Sequence, residues 1–173
     1  MDKELAVQSL TDTMAKFTAY IGKRLPKDVK KKLIELKTLE TNPLAKSVYD
    51  SMDENQEAAD RLNRPSCQDT GVIQYFVEAG AHFPLLGELQ EILREATAEA
   101  TRSGPLRHNA VETFDEKNTG TNTGTQIPWL DWRIVPDSDS CTIDVYMAGG
   151  GCTLPGAAKV LMPGQGYEGV AEF

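Results

Sequence analysis

Arg64-Pro65-Ser66-Cys67-Gln68-Asp69-Thr70-Gly71 runs directly into Val72-Ile73-Gln74-Tyr75-Phe76-Val77. The first eight residues put a thiol, an amide, a carboxylate and a hydroxyl on consecutive positions between a proline and a glycine. The next six are rich in β-branched and aromatic side chains, which favours a strand. A loop with so many reactive groups at the mouth of a strand reads as a site as well as a connector. It also divides the chain. Before it the apolar pattern is helical; after it strands and helices mix. The expected fold class is therefore α+β, with a helical region over 1–64 and a mixed α/β region carrying the active-site loops over 65–173.

Upstream, Leu5, Leu10, Met14, Phe17 and Ile21 recur mostly at helical spacing. Pro26 opens a second helix holding Val29, Leu33 and Leu36. Asn42-Pro43 marks a break, and Leu44, Val48, Met52, Ala59 and Leu62 form a looser third stripe. Each stripe is expected to face a core. Downstream, Gly80 to Pro84 turns the chain. Leu86, Leu89, Leu93, Ala96 and Ala100 then predict an amphipathic helix, which Ser103-Gly104-Pro105 ends. Strands are predicted at Trp129–Val135 and Thr142–Met147. In the second, Ile143, Val145 and Met147 alternate with Thr142, Asp144 and Tyr146, so one face is buried. The link Pro136–Ser140 reads as a hairpin turn. Asp137 and Asp139 lack the glycine and distal glutamate that a calcium loop requires.

The chain of 173 residues carries a net charge of -8, with a pI near 4.8. That balance argues against nucleic-acid or anionic-membrane partners. No apolar run reaches the ~18 residues of a membrane span, and the first residues lack a secretion signal, so a cytoplasmic location is expected. Cys67, Cys141 and Cys152 are an odd number with no zinc-site spacing, which makes a disulfide framework or structural zinc improbable.

Several segments hold candidate chemistry. A thiolate at Cys67 suits iron–sulfur clusters, zinc or copper, and Asp69 is near enough to act beside whatever Cys67 binds or to cap its own turn. Arg107, in Leu106-Arg107-His108-Asn109, offers a planar fork for a carboxylate or a surface ion pair. His108 is a possible base or a structural residue. Ala148-Gly149-Gly150-Gly151-Cys152 can bring backbone N–H groups close to a ligand oxygen. Asn118-Thr119-Gly120-Thr121-Asn122-Thr123-Gly124 is either a surface loop or a lining for a polar ligand. Gly164-Gln165-Gly166-Tyr167-Glu168-Gly169 matches the dinucleotide fingerprint by letter only, since no strand leads into it. Two function classes stay open on these residues. One is a metal- or cluster-dependent enzyme acting on a small carboxylic acid; the other is a thiol-bearing assembly or binding subunit without chemistry of its own.

The motif Arg64–Gly71, together with Pro105-Leu-Arg-His-Asn-Ala-Val111, Asn118-Thr-Gly-Thr-Asn-Thr-Gly124 and Val145-Tyr-Met-Ala-Gly-Gly-Gly-Cys-Thr-Leu-Pro-Gly156, resembles the class I fumarase and tartrate dehydratase family of iron–sulfur hydro-lyases. His108 and Cys152-Thr-Leu-Pro-Gly lean toward its tartrate branch. The resemblance implies a [4Fe–4S] cluster whose open iron acts as a Lewis acid toward a small dicarboxylic acid. Cys67 then matches one cluster ligand and Asp69 the proton donor to the leaving hydroxyl. Gln68 and Arg107 match substrate contacts, and Gly150 or Gly151 a backbone contact. Cys141 and Cys152 match no ligand. The remaining ligands are expected beyond Phe173, and the catalytic base on a β subunit, so the chain resembles the N-terminal part of an α subunit. Taken alone it is expected to hold no stable cluster, to be inactive, and to expose an apolar surface where further polypeptide packs.

Overall fold

The computed structural model describes residues 2–67, 69–104, 106–150 and 156–173. Three helices open the chain: α1 (Lys3–Ile21), α2 (Lys27–Leu39) and α3 (Pro43–Leu62). Their ends follow local chemistry. Asp2 accepts a hydrogen bond from Glu4 N, and Pro26 precedes α2. Asn42, read as a break, is the cap of α3: it accepts from Leu44 N at 2.9 Å, with Pro43 in the first turn. Asn63 closes α3 in the left-handed region, φ 51°.

Strand β1 (Val72–Gly80) leads to α4 (Leu89–Ser103), then β2 (Trp129–Val135), β3 (Cys141–Ala148) and, after a 3-10 turn at Pro163–Gln165, α5 (Gly166–Glu172). The sheet order is β2-β1-β3. β2 runs parallel to β1, with Tyr75 opposite Leu130, and β3 runs antiparallel, with Tyr75 opposite Val145. The fold is α+β, as the sequence implies.

Ile73, Tyr75, Val77 and Ala79 alternate onto the buried face of β1. They meet Met14, Ala15 and Ala19 of α1 and Leu89, Leu93, Ala96 and Ala100 of α4. Ile143, Val145 and Met147 pack against this cluster, as their alternation predicts. Burying each large side chain of this kind contributes about 1.5–3 kcal/mol. Inside the core, Tyr75 Oη lies 3.0 Å from both Thr18 Oγ1 and Thr97 Oγ1, and Thr97 Oγ1 donates to Leu93 O at 2.8 Å. One buried hydroxyl chain thus ties α1, β1 and α4 together.

Two expectations are corrected. The link Pro136–Ser140 does not join a hairpin, because β1 lies between β2 and β3. It wraps the end of β1 instead, with Gly80 N donating to Ser140 O at 2.8 Å and His82 N to Ser138 O at 2.9 Å. The approach is close enough that a Cβ on Gly80 would meet Ser138 O at 2.1 Å. The helical stripes are the second correction. α1 buries Met14, Ala15, Thr18 and Ala19, while Leu5 and Phe17 are exposed. α1 lies against α4, and the face it buries is shifted from the predicted stripe to Met14, Ala15, Thr18 and Ala19. Val29, Leu36, Leu44, Val48, Met52 and Leu62 are also exposed. Exposed ion pairs link α2 to α3 through Lys37 with Asp50 and Asp53 at 2.8 Å, and Arg24, in the link between α1 and α2, pairs with Asp60 of α3. The other face of the sheet is open too, with Phe76, Trp129 and Tyr146 exposed. No helix among the described residues is long and apolar enough to cross a membrane.

Candidate functional site

The Cys67 loop is anchored from both sides. Before it, Ser66 N donates to Gly22 O at 3.1 Å, at the end of α1, and Asn55 Nδ2 of α3 donates to Ser66 O at 2.7 Å. After it, Thr70 is buried and its Oγ1 accepts from Arg107 N at 2.9 Å. Gly71 then crosses the end of β3 with φ +79°, and a Cβ there would lie 2.2 Å from Ala148 O. Only glycine satisfies both the left-handed backbone and that approach.

Between these anchors sit Cys67 and Asp69, which line one cavity of about 150 Å³ with Ile21, Gly22, Pro65, Ser66, Thr70 and Met147. Cys67 is an exposed free thiol. The Asp69 carboxylate accepts three hydrogen bonds. Gly71 N reaches Oδ1 at 2.8 Å, closing the turn that the sequence allows for. Asn109 Nδ2 reaches Oδ1 at 2.5 Å, and Gly150 N donates to Oδ2. The glycine run after β3 therefore does bring an N–H onto a carboxylate, here the protein's own. Gln68, Gly151 and Cys152 lie outside the described residues.

Arg107 is only partly joined to this site. Its main chain is bonded to Thr70, but its exposed side chain lines a separate cleft of about 410 Å³ with Arg64, Thr101, Arg102, Leu106 and His108. Among the described residues it makes no ion pair, so it is available to an anion. His108 is exposed, and its carbonyl accepts from Asn118 Nδ2 at 2.7 Å.

Cys141 is far from the site. It opens β3 opposite Ala79, whereas the Cys67 loop enters β1 at Val72. Seven residues of strand separate those ends, about 23 Å at ~3.3 Å per residue. Burial also pushes the Cys141 thiol up from its ordinary pKa, which suits a core side chain.

The Asn- and Thr-rich loop holds the residue that sequence reasoning passed over. Asn122 is buried, at 2% exposure, and sits in the left-handed region with φ 57°. Its Nδ2 donates to Arg107 O at 2.7 Å and to Thr101 Oγ1 at 3.2 Å, and its Oδ1 accepts from Asn109 N at 2.6 Å. It ties the Arg107–Asn109 strip to the end of α4. The available signal was an asparagine in a glycine-rich loop, a residue type that tolerates positive φ and carries both donor and acceptor.

An exposed thiol beside an anchored carboxylate, with a cationic cleft adjoining, fits one ligand of a metal centre and a neighbouring proton-transfer group. It does not fit a whole centre. Among the described residues no three His, Cys, Asp or Glu side chains come together in a metal-binding group. The described residues thus bring together one thiol and one carboxylate at the mouth of β1. The fumarate hydratase (Fumerase) family matches residues 11–173, and the chain belongs to that family. It is 58% identical over 172 residues to the L(+)-tartrate dehydratase subunit alpha of Escherichia coli K12, covering 99% of this chain and 57% of that protein. The corresponding protein of Escherichia coli O157:H7 is 59% identical over 172 residues, with the same 99% and 57% coverage. The Shigella sonnei protein of that name is 58% identical, again with 99% and 57% coverage. The chain thus spans somewhat over half the length of these relatives.

Proposed function

We propose that this chain forms one part of the active site of a cytoplasmic hydro-lyase that dehydrates L(+)-tartrate to oxaloacetate and water. It would act as the N-terminal part, 1–173, of an α subunit paired with a β subunit. The observation that carries the reading is the shared cavity of Cys67 and Asp69, in a chain 58% identical to a tartrate dehydratase α subunit. Cys67 would hold one iron of a [4Fe–4S] cluster. When bound, the cluster supplies a Lewis-acidic iron that polarises the departing hydroxyl. Further thiolate ligands and the base that removes the carbon-bound proton would come from outside this chain.

The roles of this chain's residues follow from their chemistry. Asp69 is the proton donor to the leaving hydroxyl, which departs as water. Among the described residues its Oδ1 accepts from Gly71 N and Asn109 Nδ2 and its Oδ2 from Gly150 N, which hold the carboxylate in place. The Arg107 fork binds a substrate carboxylate; Gln68 and a glycine N–H at 150 or 151 orient the substrate, Gly151 being the better candidate because the Gly150 N–H already donates to Asp69. Fumarate hydration is the second reading, favoured by the description of the family, because both substrates are four-carbon dicarboxylates.

The test is turnover of tartrate and of fumarate by the complete two-subunit assembly. Faster tartrate turnover supports the first reading. Cys67→Ser should remove the visible cluster absorbance and abolish turnover, and Asp69→Asn should abolish turnover with the cluster retained. A Cys67→Ser assembly with intact absorbance and activity would rule out the ligand role.

A further inference from the structure

The three described donors to Asp69 come from three separate segments. Gly71 N and Gly150 N are main-chain groups, present whatever the side chain. Asn109 Nδ2 is the side-chain donor, 2.5 Å from Oδ1. Asn109 is itself fixed, since its N donates to Asn122 Oδ1 at 2.6 Å. It is half-buried. The amide is neutral. It can hold a carboxylate through an N–H without contributing a charge that would oppose proton movement at the other oxygen.

We infer that Asn109 is the positioning residue of the Asp69 carboxylate: it clamps Oδ1 and so sets the orientation of the carboxylate in the cavity shared with Cys67. The inference rests on Asp69 acting in turnover, and the experiment separates the two. In the complete two-subunit assembly, Asn109→Ala should lower kcat about 10- to 100-fold with KM nearly unchanged, the scale of a misaligned reacting group. Asn109→Asp keeps the size and shape but replaces the donor with a second carboxylate against Asp69. It should cost at least as much as Asn109→Ala, whereas a space-filling role would be rescued by the isostere. Asp69→Glu moves the carboxylate by one methylene and already breaks the clamp. Adding Asn109→Ala to it should therefore slow it no further. Wild-type kcat in Asn109→Ala or Asn109→Asp, or a loss that multiplies onto that of Asp69→Glu, overturns the positioning role. Wild-type kcat in Asp69→Asn instead overturns the reading of Asp69, and the inference falls with it. Should the alanine variant fail to assemble, the isosteric Asn109→Asp variant carries the comparison.

Discussion

Replacing Asn122 tests the scaffold under the candidate site. Asn122→Ala removes three hydrogen bonds, to Arg107 O at 2.7 Å, Thr101 Oγ1 at 3.2 Å and Asn109 N at 2.6 Å. Two main-chain groups lose these partners. Both are part-buried, so each costs near the lower end of the ~1–3 kcal/mol for a stripped polar group. Alanine must also adopt φ 57°, where a Cβ costs about 1 kcal/mol and asparagine is better tolerated. The expected loss is about 3 kcal/mol, a large share of the ~5–15 kcal/mol that holds a typical domain together. Asn122→Gly loses the same bonds but not the backbone term, and should recover about 1 kcal/mol. Urea unfolding followed by circular dichroism, with constant m-values, measures both differences. Amide exchange at Arg107 and Asn109 should accelerate in both variants. An alanine variant within about 0.5 kcal/mol of the parent, or a glycine variant weaker than the alanine one, would refute the argument that this side chain holds the strip.

Three further outcomes follow from the same geometry. Gly71→Ala should prevent the native β1–β3 pairing, because its Cβ would lie 2.2 Å from Ala148 O at φ +79°; a native circular dichroism spectrum and melt would contradict this. Tyr75→Phe should cost roughly 1–2 kcal/mol by stripping Thr18 and Thr97 of their shared partner. Burial raises the Tyr75 phenol above its ordinary value, against the smaller opposing effect of those two bonds. The unfolded chain therefore ionises first, and the contribution is complete below about pH 10 and lost as pH rises beyond it. Stability measured across that range should fall less steeply in Tyr75→Phe. Finally, a neutral maleimide at pH 8 should label exposed Cys67 well before Cys141, whose burial keeps the thiol protonated; equal rates, read by peptide mass, would oppose the placement of Cys141 in the core.

What the sequence made legible depended on whether the deciding physics was local. Pro26, Asn42-Pro43 and Gly104 act within one turn, so the helix ends were readable from capping chemistry. The alternation in β3 named its buried face for the same reason. The strand order was not readable, because a link such as Pro136–Ser140 can close a hairpin or wrap a third strand. The second requires Gly80, about a third of the chain away, to admit Ser138 O. The exposed stripes of α2 and α3 misled because periodicity reports that a face is apolar, not that anything in this chain covers it. At the site, Cys67 and Asp69 stood out by chemistry and do line one cavity. Asn109 and Asn122 did not stand out, because an asparagine's role depends on which main-chain groups surround it in space.

That difference bears on how the candidate site is put together. Every described partner of the Asp69 carboxylate belongs to this chain, and the strip bearing Asn109 is tied through Asn122 to α4, which is tied through Thr97 and Tyr75 to the core. Within this chain the carboxylate is thus already held by hydrogen bonds from separate segments. Cys67 differs: it is exposed on the same loop, and under the proposed reading a cluster held there would draw its other ligands from outside the described residues. In that reading the hydrogen bonds on both sides of the loop hold its backbone while the thiol between them stays exposed.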